Sequence, residues 1–199
     1  MNIYGASGHS KVIIEVMNSI GGTVDCIFDD DENITEVLNY RVVHTFPEAA
    51  LNLGTVIAIG NNRIRKSVAI EFKGRIQEAV IHRAASVSES VKLGRGTVVM
   101  ANASINAETL IGEHCILNTG STVEHDCEID DFVHISPNAA LAGGVHVGEG
   151  SHIGIGAVVI PGIKIGKWVT VGAGAVVIKN IPDYATVVGN PGKIIKYTE

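Results

Sequence analysis

Between Ile81 and about Ile181 a large aliphatic residue recurs at every sixth position without a break, from Ile81, Val87, Leu93 and Val99 through to Val171 and Val177. A helix repeats every 3.6 residues and a strand every 2, so neither produces this spacing. It requires a coil whose corners recur every six residues, and three sides then make one turn of roughly eighteen residues. The product is a triangular prism of short parallel strands with the aliphatic side chains along its axis. The residue four places after each aliphatic also faces inward and has to be small or slim. Ala103, Thr109, Cys115, Ser121, Cys127, Val133, Ala139, Val145, Ser151 and Ala157 hold that place. The residue directly after the aliphatic is often one that tolerates a corner backbone, as at Gly94, Asn106, Gly112, Asn118, Asp130, Gly148, Gly154, Gly166 and Gly172, and the corners are predicted there.

This half of the chain resembles the left-handed parallel β-helix of hexapeptide-repeat proteins. A right-handed β-helix has longer and less regular coils and fits the spacing less well. Left-handed crossovers are rare in other folds, which makes the pattern specific. The first 80 residues read differently. A strand at Asn2 to Tyr4 runs into Gly5-Ala6-Ser7-Gly8-His9, and a helix follows whose apolar face is Val12, Ile13, Val16, Met17 and Ile20, ended by Gly21-Gly22. Strands are predicted at Thr23 to Phe28, running into Asp29-Asp30-Asp31, and at Thr55 to Ile59, running into Gly60-Asn61-Asn62. A helix over about Ile64 to Phe72 and a strand at Ala79 to Ile81 lead into the coils. The expected architecture is an α/β, Rossmann-like unit with a small parallel sheet over residues 1–80, then a left-handed parallel β-helix over residues 81–199. No Pro- or Ser-rich linker separates the two, so they are expected to pack together.

Composition narrows the partners. A net charge of -6 without a basic stripe argues against nucleic acid. No apolar run approaches eighteen residues and the first residues lack a basic start, so neither a membrane span nor secretion is expected and the chain reads as cytoplasmic. Cys26, Cys115 and Cys127 are odd in number and two hold inward coil places, which suits reduced core thiols better than a disulfide or metal set.

Two clusters can carry chemistry. In a parallel sheet, ligands bind beyond the carboxyl ends of the strands, where Ser7-Gly8-His9, Asp29-Asp30-Asp31 and Gly60-Asn61 are expected to converge, and amides at the helix start can hold a phosphate. Gly-x-x-Gly with so few strands fits a nucleotide half better than a whole dinucleotide. A tight turn and a solvated acidic loop would use the same residues, and spacing alone leaves both readings open. In the coils, Glu124-His125-Asp126 sets a carboxylate beside an imidazole, the pairing that fixes a tautomer for proton abstraction, although adjacent residues need not touch. His134, His146 and His152 fall just before an axial aliphatic and so stand on the outside of the prism, while His82, His114 and His152 suit plain surface residues.

Gly5-Ala6-Ser7-Gly8-His9, Ala58-Ile59-Gly60-Asn61-Asn62, Glu124-His125-Asp126, His134 and Gly189-Asn190-Pro191-Gly192-Lys193, taken with the coils, resemble the bacterial acetyltransferases of nucleotide-linked amino sugars, and among them the UDP-4-amino-sugar N-acetyltransferases. The resemblance implies acetyl-CoA as co-substrate, a nucleotide-linked 4-amino-4,6-dideoxy sugar as acceptor, and a homotrimer. It makes His125 the general base and Asp126 its supporting carboxylate. It sets His134, Gly143, Ile155 and Ala173 along the cofactor cleft, and Ser7, Gly8, His9, Asp30, Asp31 and Gly60 on the nucleotide sugar. Arg63, counted with the substrate-binding residues, stands where a relative has a substrate-touching acid, which leaves the nucleotide and the sugar open. Lys164, Lys167, Lys179, Lys193 and Lys196 could meet CoA phosphates or form a solvated face. Two alternatives stay open: a sugar O-acetyltransferase of the sialic acid type, and a trimeric histidine-zinc enzyme like the carbonic anhydrases built on this coil. The six-residue gap from His146 to His152 does not favour the second, and no metal is predicted.

Overall fold

The computed structural model describes residues 1–198. Strand β1 (Asn2–Tyr4) is flanked by β2 (Cys26–Phe28) and β5 (Thr55–Ile57), all parallel, and β4 (Tyr40–Val43) extends the sheet beyond β2. A short strand β3 (Glu36–Val37) pairs antiparallel with β4, giving the order β3-β4-β2-β1-β5. The sheet therefore has five strands where the sequence indicated three or four. The β3–β4 hairpin turns on Leu38 and Asn39, both at positive φ, as a two-residue hairpin turn demands, and Leu38 gives no turn signal in the sequence.

Helix α1 (Gly8–Ser19) buries Ile13, Ile14, Val16 and Met17 and leaves Val12 and Ile20 exposed, so its apolar face is rotated from the predicted one. Ile13 and Ile14 both enter the core because the helix is covered by the sheet on one side and by the prism on the other. Helix α2 (Asn62–Glu71) starts two residues earlier than its apolar pattern suggested. The side chain of Asn61 accepts hydrogen bonds from the amides of Arg63 and Ile64, capping two of the free donors at the helix start. The predicted strand over Thr23 to Phe28 is regular only from Cys26, and the one ending at Ile59 stops at Ile57.

From Val80 onward the chain winds into the predicted β-helix. As far as Val158↔Val176 each strand pairs in parallel with one eighteen residues later, as in Ile116↔His134 and His134↔His152, and at the end of the prism Thr170 pairs with Thr186, sixteen residues on. Three faces result. The first carries Ser86, Ser104, Thr122, Ala140, Val158 and Val176 outward, the second Lys92, Leu110, Glu128, His146 and Lys164, and the third Val80, Val98, Ile116, His134, His152 and Thr170. The axial aliphatics and the slim inward residues form one continuous core. Inside it Thr97, Thr109 and Ser151 each donate to a carbonyl of the next coil and accept an amide from it. Thr109 Oγ1, for instance, donates to Glu124 O at 2.8 Å and accepts from Cys127 N at 3.2 Å.

The corners differ from the prediction. The left-handed residue falls three places after the aliphatic, at Asn102, Glu108, His114, Asp126, Phe132 and Asn138 among others, and not directly after it. Glycine directly after the aliphatic answers another need. A β-carbon at Gly94 or Gly148 would stand 2.5 Å from Gly112 or 2.6 Å from Gly166, in the backbone of the next coil. Stacked corners approach too closely there for a side chain.

The α/β unit sits on the third face. Val80, Val98 and Ile116, outward on that face, are buried against Ile3, Ile13, Ile14, Ile27 and Val56. Further down, Asn62 Nδ2 donates to the carbonyls of Gly150 and Ser151. Among the described residues no helix is long and apolar enough to cross a membrane.

Candidate active site

His125 and Asp126 occupy the corner after strand Thr122–Val123, on the edge between the first and second faces. Asp126 has φ 58°, the left-handed backbone shared by the corners from Gly96 to Gly174, which turns its side chain back beside the preceding imidazole. His125 Nδ1 lies 2.7 Å from Asp126 Oδ2. A carboxylate only accepts, so Nδ1 carries the proton and Nε2 keeps its lone pair. Both side chains are about two-thirds exposed, so Nε2 is open to an incoming ligand. The corner of the next coil carries Gly143, and its neighbour Gly144 donates its amide to His125 O at 2.9 Å. An imidazole, a carboxylate hydrogen-bonded to it and an open approach are thus together on one edge.

Within a single chain the other predicted cofactor residues are elsewhere. His134 is on the third face, while Ile155 and Ala173 succeed one another on the edge between the third and first faces, joined by Gly174 N to Ile155 O at 2.8 Å. The whole first face separates them from His125. Val158 is exposed on that first face, and Ile160 and Ile178 are exposed just past its strand ends. His134 and His146, read together as outward histidines, are on different faces. His146 bonds Asp130 at 3.3 Å, and with Glu128 these groups bring ligand atoms within 4.8 Å of one another, the one arrangement among the described residues that could hold a metal ion.

The nucleotide-type loops do converge beyond the sheet. Gly5, at φ 106°, brings the chain against Ala58 O with no room for a side chain, and Ala6 N donates to Asp29 Oδ2 at 2.6 Å. Asp29, the first residue of the acidic triplet, thereby latches the glycine loop. Asp30 stays exposed and Asp31 caps Asn33 through its amide and side chain. Ser7 and Gly8 are exposed; His9 turns inward. Beside them a cleft of about 430 Å³ opens between the start of α2 and the third face, lined by Gly60, Asn61, Arg63, Gly150, His152, Trp168, Thr170 and Thr198, with Asn62 at its base. The Arg63 guanidinium lies over the Trp168 ring at 4.9 Å, and Lys66, ion-paired with Glu149, stands 5.5 Å from the same ring.

Behind the cleft is a polar core. Arg65 is fully buried and spends its donors on His114 O, Phe132 O, Ile59 O, Gly60 O and Asn62 Oδ1, tying α2 to two coils at once. Burial lowers its pKa to about 10, so it stays charged. Around it His9 and His114 are pushed down to about 4 and His134 to about 3, in each case first by desolvation; Arg65 lowers all three further, and His152 acts more strongly than Arg65 on His134. His152 is lowered by the same two causes. These rings are neutral at pH 7. His114 is buried and stacked on Phe132, and His152 is mostly covered, so neither is the plain surface histidine its place in the repeat suggested. Arg65 was missed because nothing in a helical Arg marks it as buried.

Known proteins resemble both halves. Residues 1–72 match the PglD N-terminal domain family and residues 144–179 the bacterial transferase hexapeptide (six repeats) family. UDP-N-acetylbacillosamine N-acetyltransferase of Bacillus subtilis (strain 168) is 44% identical over 111 residues, so the chain spans half the length of that curated relative. The perosamine N-acetyltransferase of Caulobacter crescentus, solved as a His-to-Asn variant in complex with CoA and GDP-perosamine, superposes with a TM-score of 0.91 at 41% identity over 98% of this chain and 96% of that one. The acetyltransferase domain of PglB from Neisseria gonorrhoeae FA1090, solved with acetyl coenzyme A, gives 0.90 at 39% identity over 98% of each chain. On that likeness over its whole length, the chain belongs to the acetyl-CoA-dependent sugar N-acetyltransferases built on the left-handed β-helix.

Proposed function

We propose that the chain transfers the acetyl group of acetyl-CoA to the amine of a nucleotide-linked 4-amino-4,6-dideoxy sugar in surface glycan or glycoprotein biosynthesis, with His125 as general base. The observation that carries this is the 2.7 Å contact from His125 Nδ1 to Asp126, which leaves Nε2 basic and exposed. The neutral amine attacks the thioester carbonyl; a C–N bond forms, the C–S bond breaks, and the amine's proton passes to Nε2 and on to the departing thiolate. Asp126 holds the imidazole in the tautomer that can accept that proton and offsets the positive charge that then forms.

Residues 1–80 bind the nucleotide sugar through Ser7, Gly8, His9, Asp30, Asp31, Gly60 and Arg63, and residues 81–199 carry out acetyl transfer. His134, Gly143, Ile155 and Ala173 line the acetyl-CoA cleft. The separation of His125 from His134, Ile155 and Ala173 by a whole prism face supports a homotrimer in which the edge of one copy faces the third face of the next. The apolar exposure of Val158 on the intervening face, and of Ile160 just past its strand end, fits the same assembly. We place the enzyme in the cytoplasm.

The test is acetyl transfer to UDP- and GDP-linked 4-amino sugars, with a hydroxyl-bearing sialic acid as comparison. Replacing His125 by Ala should lower kcat by about a hundred- to ten-thousand-fold with KM for acetyl-CoA nearly unchanged. Full turnover by His125→Ala would reject His125 as the base, and transfer to the hydroxyl alone would reject the amine.

A further inference from the structure

The residue two places after each axial aliphatic stands at the outer corner of its coil. From Arg83 to Lys179 that place is taken by Arg, Glu, Ala, Thr, Asp, His, Pro, Ile or Lys, and by glycine once, at Gly143. The backbone does not ask for glycine here, because the left-handed residue of this corner is the next one, Gly144 at φ 68°. In its own column Ala107, His125, Pro161 and Lys179 all carry side chains. What singles out Gly143 is what lies on it. A β-carbon there would stand 2.7 Å from Cε1, 2.8 Å from Nε2 and 3.2 Å from Nδ1 of His125, closer than packed atoms approach.

His125 is otherwise poorly restrained for a group that must be aimed. Its side chain is 62% exposed and its one side-chain hydrogen bond runs to an equally exposed Asp126. We propose that Gly143 is a positioning residue: its bare α-carbon is the floor on which the His125 imidazole lies, holding Nδ1 against Asp126 and leaving Nε2 clear for the acceptor. This rests on the reading of His125 as general base. A methyl group at position 143 would lift the ring, break the bond to Asp126 and crowd the very nitrogen that takes the proton.

The test is Gly143→Ala, read three ways. Its kcat should fall by on the order of 100-fold, more than any change in KM for acetyl-CoA from the cleft that Gly143 also lines, since a misplaced base costs turnover first. In 15N-histidine spectra His125 should change from the single tautomer protonated at Nδ1 to a mixture. In the His125→Ala background Gly143→Ala should cost nothing further, because the two act as one unit. If the glycine serves only to admit the cofactor, KM for acetyl-CoA rises, the His125 spectrum is unchanged and the loss persists in that background; this overturns the proposal. Should the variant not fold, the unaltered protein decides: a strong nuclear Overhauser contact between His125 Hε1 and the Gly143 α-protons is expected, and its absence refutes the floor. Full activity of His125→Ala would instead reject the base assignment, whereas an inactive His125→Ala beside an unimpaired Gly143→Ala rejects this inference alone.

Discussion

The imidazole of His134 lies face to face with that of His152 one coil on, their centroids 4.7 Å apart and their planes within 12°. Each ring has a polar anchor: His134 Nε2 meets Asn118 Nδ2 at 3.0 Å, and His152 Nε2 meets Ser136 Oγ at 2.7 Å. Asn118 Nδ2 can only donate, so His134 Nε2 is unprotonated. His134 is therefore neutral in this stack, and burial also lowers the pKa of His152.

That neutrality ties stability to pH. His9, His114 and His134 drop from 6.5 to between about 3 and 4 in the folded chain, and His152 also falls. Between pH 6.5 and these values the unfolded chain binds more protons than the folded one, so folding stability is whole above about pH 6.5 and declines as pH drops through the window. Thermal melts from pH 8 to pH 4 should show this decline, and His114→Gln should flatten it. An identical slope in the two proteins would exclude His114 as a source of it.

Arg65 joins the halves through five oxygens, of which His114 O and Phe132 O belong to the prism. Arg65→Met should destabilise by on the order of 3–5 kcal/mol, since it strands buried acceptors that only a planar fork can reach together. Arg65→Lys should recover little of this, because an ammonium is a single point of charge. Denaturant unfolding checks both variants.

Two hydroxyls in the prism core make opposite predictions. Thr109→Val removes an acceptor from Cys127 N and a donor from Glu124 O, and should cost about 1–3 kcal/mol. Ser121 Oγ is buried without a partner, so Ser121→Ala should be close to neutral or slightly stabilising. Chemical denaturation of the pair separates satisfied from unsatisfied polar groups in one scaffold.

Val158 on the first face and Ile160 just past its strand end are each about 40% exposed. In the proposed trimer Ile160→Asp buries a charge at a subunit contact, and sedimentation at micromolar concentration should change from trimer to monomer. A wild-type protein that sediments only as monomer would remove the shared-cleft mechanism.

The prism could be read from the chain because its cause is repeated locally. Every sixth aliphatic and every slim residue between them meets the same neighbours one coil away, so position in the repeat decides burial, as at Val133 or Ser151. Adjacency suggested the pairing of His125 with Asp126, but the contact depends on the left-handed backbone at Asp126, which falls where the repeat had not placed the corner. The outer surface obeys no such rule. His134 and His146 share one place in the six-residue repeat, yet only the eighteen-residue coil tells which face each takes, and only the docking of the α/β unit buries His134, His152 and His114. That docking depends on Val80, Val98 and Ile116 meeting α1, and on Arg65 and Asn62 reaching coils far along the chain. Those contacts join residues 49 to 89 positions apart, and desolvation, which sets the charge of every histidine behind the cleft, exists only once they have formed.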